Sequence, residues 1–143
     1  MESLYLPIAK KISLLVKLLK KSKQELEIAA SDLKEQDVKS SVIGIALETN
    51  QYAEELSGQL KMLGIEDPIK EHPEEVSASS DKLLKLYTKD SIFIYCHKSE
   101  KKFIKAYTDI LNEYFQYQSV RSMMIYQLNQ IRCAFMRMHF LAM

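Results

Sequence analysis

Glu25, Glu48, Glu100 and Arg132 are the side chains in this 143-residue sequence best placed, by type and spacing, to build a charged centre between helices. Carboxylate-bridged iron needs hard oxygen donors plus imidazole, usually a Glu with a His three residues on, from two helices. Glu48 is followed at that distance by Gln51, and Glu100 by Phe103, so neither is a ligand pair. The reversed pair His97 and Glu100 lies on one helix face and suits weak metal binding. If the chain holds iron or manganese, the expected ligands are Glu25, Glu48, His97 and Glu100. The favoured expectation is no cofactor. All 19 acidic residues precede residue 114, so the C-terminal segment can offer an ion no carboxylate. It offers Arg132 instead. A partly buried carboxylate is costly unless paired, and a guanidinium pairs with it in two-pronged fashion. Glu25, Glu48, Glu100 and Arg132 are therefore expected to form a polar layer, with Arg132 supplying positive charge in place of a metal. The competing expectation puts them on exposed flanks as weak surface pairs.

Two cysteines, Cys96 and Cys133, are too few for a disulfide framework or a thiolate zinc site. Helix counting leaves them less than about two turns apart in height, so a redox pair is conceivable. Buried reduced thiols are the commoner state in a cytosolic chain. His72, before Pro73, is expected in an exposed loop. His139, with no acid near it in sequence, receives no role.

The elements that must position these groups are helices. Ile12, Leu15, Leu19, Ser22, Leu26, Ala29 and Leu33 recur at three- and four-residue steps, predicting a helix from about Ile8 to Lys34. Asp37 is the expected N-cap of a second, with Val42, Ile45, Thr49, Tyr52, Leu56, Leu60 and Leu63 inward and Gly64 at its end. Pro68 and Pro73 break the next stretch, in which Ala78 to Tyr87 reads as a short helix anchored by Leu83, Leu84 and Leu86. A third long helix is expected from about Ser91 to Tyr114, burying Phe93, Cys96, Phe103, Ala106 or Tyr107, and Ile110. After a tight connection near Gln116, a fourth carries Met124, Leu128, Ile131, Phe135, Met138 and Ala142 as its apolar stripe. Short, long and short connections predict an all-α, ferritin-like four-helix bundle. Its long crossover between helices two and three carries the short extra helix.

Composition agrees. Hydrophobic residues make up 47% and charged residues 27%, which is globular, and only three Gly and three Pro occur. The net charge of +1 gives no general pull on nucleic acid, and the eight tyrosines form no basic-aromatic platform for it. Lysines interrupt the N-terminal apolar residues, and no signal-peptide cleavage pattern follows them, so a soluble cytoplasmic protein is expected. Lys10, Lys11, Lys17, Lys20, Lys21 and Lys23 surround the apolar stripe of the first helix. A membrane-surface role is the lesser reading of that pattern and a solvated bundle face the greater. No Gly-rich phosphate loop, nucleophile elbow or zinc spacing is present.

The segments ALETNQYAEE (Ala46 to Glu55), LSGQLKMLG (Leu56 to Gly64) and CHKSEKKFIKAYTDIL (Cys96 to Leu111) resemble a bacterial family of ferritin-like bundles of unassigned role. The spacing of Cys96, Glu100 and Lys105-Ala106-Tyr107 is the most specific part, and the resemblance spans about Leu15 to Arg137. It implies a self-associating four-helix bundle and no known reaction. A stress or envelope connection rests on this resemblance alone. Where that family's fourth helix carries a His followed by an acid, this chain has Phe135 and Met136, so no polar role carries over to those positions. Independently, Met123, Met136, Phe140, Leu141 and Met143 lie off or beyond the main stripe of the fourth helix. A helix apolar on most sides is buried on most sides. Met136, Phe140 and Leu141 are therefore the expected interface of a homodimer or tetramer. The expected function is a non-enzymatic oligomeric bundle with a degenerate di-iron site; a metal-binding or redox bundle is the alternative.

Overall fold

The computed structural model describes residues 2–64, 88–114 and 117–143, with side chains from residue 7 onward. Pro68, His72, Pro73, the expected short helix from Ala78 to Tyr87 and the connection at Gln116 lie outside the described residues. Within them the chain forms four helices and no strand: α1 (Glu2–Asp32), α2 (Gln36–Met62), α3 (Lys89–Leu111) and α4 (Gln118–Ala142).

Local chemistry sets the ends. Asp37 was expected to cap α2, but the helix starts two residues earlier than that cap implies, with Glu35 at the N-cap position and no side-chain cap. Asp37 sits inside the first turn, where its carboxylate accepts the Val38 N–H at 2.9 Å and meets the positive end of the helix dipole. Gly64 adopts φ +73 just beyond α2, the left-handed conformation that the expected glycine cap requires. Helix α3 opens with a capping box: Ser91 N–H donates to Thr88 Oγ1 at 3.2 Å, and Thr88 N–H to Ser91 Oγ at 2.9 Å.

The apolar periodicities fix how each rod is rotated. The six stripe positions within α1 are buried, as are Leu33 just beyond it and Val42, Ile45, Thr49, Tyr52, Leu56 and Leu60 of α2, while Leu63 is only partly buried. Helix α3 buries Ile92, Cys96, Phe103, Tyr107 and Ile110; Phe93 is only half-buried. Helix α4 buries Met124, Leu128, Ile131, Phe135 and Met138 as expected, while Ala142 is exposed at the chain end.

Helix directions follow from specific pairs. Lys11 meets Glu113 at 2.6 Å and Glu25 meets Tyr95 at 2.7 Å, so α1 and α3 are antiparallel. Glu48 meets Arg137 and Glu55 meets Gln127, so α2 and α4 are antiparallel too. Glu100 meets His139 and Phe103 meets Phe135, so α3 and α4 are antiparallel as well, and α1 packs on α2. Hence α1 and α4 run one way and α2 and α3 the other, with like-directed helices on the diagonals. Among the described residues no helix is long and apolar enough to cross a membrane.

Candidate functional site

The three acids expected in one layer lie on separate seams between helices. Glu25, partly buried, accepts the Tyr95 O–H at 2.7 Å and has Lys21 Nζ at 4.0 Å. Burial first, and then the neighbouring Glu25, push the Tyr95 phenol well above its ordinary range, with Ser99 and Ser22 pulling the other way. Glu48 faces Arg137 at 3.5 Å and keeps its other carboxylate oxygen buried without a partner. Burial raises the Glu48 carboxyl above its ordinary value, against the opposing pull of Arg137. Glu100 meets His139 Nε2 at 2.9 Å. Tyr95 and Glu100 are five residues apart on α3, roughly 7.5 Å of rise, so Glu25 and Glu100 stand at different levels.

Arg132 is exposed and takes no part in these pairs. Counting residues from the α3–α4 connection sets Arg132 opposite Glu100, but His139, seven residues further on, is what meets it. Side-chain lean accounts for part of the offset. Helical side chains tilt toward their own N-terminus. In this antiparallel pair that carries the Glu100 carboxylate away from the connection and the His139 imidazole toward it. The interior between these helices is filled by Phe103 and Phe135, whose rings stand 6.1 Å apart.

The pairing of Glu100 with His139 assembles a third group. His97, one turn before Glu100, sets its ring edge-on to His139 with centroids 5.8 Å apart. One nitrogen from each imidazole and one oxygen of Glu100 all lie within 4.8 Å of one another. Phe135 and Met138 fix the rotation of α4 by burying themselves, and this turns the adjacent His139 toward α3. Glu100 is sheltered, its side chain 17% exposed, while His97 and His139 are open to solvent. Beneath the imidazoles is a pit of about 20 Å³ lined by Phe93, Cys96, Phe135 and Met138. Burial first, then the charge of Glu100, push the Cys96 thiol up to about 12, so it stays protonated. Cys133 is exposed and both cysteines are free thiols.

Two imidazoles and a carboxylate match the donor preferences of first-row divalent ions such as zinc and iron. Metal–ligand bonds of about 2.0–2.2 Å put the ligand atoms of a tetrahedral ion about 3.3–3.6 Å apart; His139 and Glu100 stand at 2.9 Å, and with the three atoms spread over as much as 4.8 Å the exposed imidazoles must draw in slightly to share one ion. The ligand set expected from sequence contained His97 and Glu100. Glu25 and Glu48 stand elsewhere, and His139, which completes the cluster, was not in that set. The available clue was its place next to the buried stripe of α4.

A second polar chain was also unforeseen. Tyr107 O–H donates to Gln127 Oε1 at 2.8 Å, and Gln127 Nε2 donates to Glu55 at 3.0 Å, linking α3, α4 and α2. Gln127 is wholly buried. Burial, with smaller contributions from Tyr52 and Glu55, pushes the Tyr107 phenol well above its ordinary range. Of the expected interface residues, Met136 and Phe140 are 55% and 68% exposed, whereas Leu141 is partly buried against the chain's own core.

No family model, no curated protein and no solved structure matches this chain.

Proposed function

We propose that this chain is a metal-binding helical bundle whose site lies on the α3–α4 seam and consists of His97, Glu100 and His139. The carrying observation is the convergence of three ligating atoms from two rigid rods within 4.8 Å. The donor set suits zinc(II), with iron(II) and manganese(II) as weaker competitors in the usual affinity order. The competing reading is a simple imidazole–carboxylate pair, in which His97 is a bystander. Calorimetric titration of chelator-treated protein with zinc separates them. One equivalent should bind, and His97→Ala and His139→Ala should each weaken binding at least about tenfold, since even the residues behind metal ligands contribute on that scale. Unchanged affinity in either variant rejects the site.

The role assigned is binding and not catalysis. The frame around it is proposed to be ferritin-like, as the resemblance of Leu15 to Arg137 implies. That reading is supported by the like direction of α2 and α3, which a long crossover between them would produce. In this frame Glu48 keeps an arginine partner and Glu25 a phenol and a lysine in place of a buried di-iron pair.

A further inference from the structure

Three protein donors leave an ion with coordination positions to fill, and here both imidazoles stand at the surface. Exposed cations flank them on both helices. Lys101 follows Glu100 directly and lies about one turn beyond His97 on the exposed side of α3. Arg132 precedes His139 by seven residues, or about two turns, and so shares its face of α4. Helix α4 contains no acid. Among the described residues neither Lys101 nor Arg132 is ion-paired. A divalent ion would add two positive charges, against the single negative charge of Glu100. An anion entering the open position would therefore meet the ion in front, with unpaired cations about one turn away on α3 and two turns away on α4. Other features of the surface are less complete. The cleft of about 60 Å³ between α1 and α3 sets Lys21 and Lys102 against Glu25, which is already bonded. The apolar outer face of α4 has nothing seated on it that would identify an occupant.

We infer that the metal-loaded site binds a phosphate-type oxyanion, one oxygen on the ion and the others drawn toward Lys101 and Arg132. The flexible ammonium of Lys101 supplies a point charge, and the fork of Arg132 is suited to two phosphate oxygens. The phosphate can be free or a lipid headgroup; the chemistry recognised is the same. This inference rests on the metal reading above, and the experiment separates the two. Protein loaded with one equivalent of cobalt(II) is titrated with orthophosphate while the visible absorption of the ion is followed. The expected result is a saturable spectral change that chloride at equal ionic strength does not produce. Lys101→Ala combined with Arg132→Ala should weaken phosphate binding at least about tenfold, roughly 1.4 kcal/mol. Both residues lie outside the metal ligands, so cobalt affinity should stay within about twofold, a small change in free energy. In a second arm, co-sedimentation of the zinc-loaded protein with phosphatidate vesicles, against neutral vesicles, separates the sources. A response to orthophosphate assigns a free ion, and binding to phosphatidate vesicles without that response assigns a headgroup. Failure of cobalt to bind overturns the metal reading itself. Cobalt that binds while neither phosphate source has an effect overturns this inference alone. So does a response that chloride reproduces, or one that the double variant leaves intact.

Discussion

Glu48 keeps an unpartnered carboxylate oxygen beside Arg137, and burial outweighs the guanidinium in setting its protonation. A carboxyl raised in the folded state binds its proton more readily there than in the unfolded chain. Its contribution to stability is then fully present below the ordinary value of 4.5 and is lost as pH rises through the raised folded value. Glu48→Gln should remove that loss. Relative to the unmodified chain, the variant should gain stability between pH 4 and pH 7, by up to about 1 kcal/mol for a partly solvated pair. Urea unfolding at the two pH values measures it, and a variant that loses ground over that interval would contradict the assignment. The two thiols separate just as cleanly. Burial keeps the Cys96 thiol protonated and out of reach at pH 7, whereas Cys133 lies at the surface. An aromatic disulfide reagent should therefore label one cysteine per metal-free native chain quickly and the second only on unfolding. Two fast equivalents would place Cys96 outside the core.

Each helix does its positioning through a few identifiable residues. The Thr88–Ser91 box starts the helix that carries both His97 and Glu100. Thr88→Ala should cost about 1 kcal/mol in thermal or urea unfolding; a change near zero would mean the box is decorative. The Tyr107–Gln127–Glu55 chain pins three helices against sliding. Tyr107→Phe would strip a wholly buried amide of one partner and should cost about 1–3 kcal/mol. Rotation of the rods was legible in the sequence because burial alone decides it. The stripes through Leu15, Leu26, Thr49 and Ile131 could point only one way, and each is buried. Register was not legible, because sliding one rod past another by a turn preserves every apolar stripe. That is why residue counting matched Glu100 with Arg132, although the bundle matches it with His139. Gln127 escaped notice for a related reason. A polar residue beside a stripe signals solvent unless its partners, here on two other helices, are already known.

At the scale of the whole molecule, two of the residues expected to meet another copy project outward and one does not. Met136 and Phe140 are more than half exposed, and Ile125 and Tyr126 add further exposed apolar surface to α4. Leu141 serves its own core. Apolar surface left in water favours association, and a repeated copy of the same face can cover it about a two-fold axis. Opposing this, the seam beside that face is rich in Lys and Arg, so two copies also bring like charges together. Association through that face would then depend on salt, because screening weakens the repulsion and leaves the apolar contact intact. Light scattering should therefore show a dimer fraction that rises from about 50 mM to 500 mM salt, as the Debye length falls below about 5 Å. Phe140→Glu should abolish the dimer while leaving the unfolding midpoint nearly unchanged, because Phe140 lies outside the core. A chain that stays monomeric at every salt concentration would leave the outer face of α4 without this role. A dimer that dissolves as salt rises would mean charge pairs, and not Met136 and Phe140, hold it together.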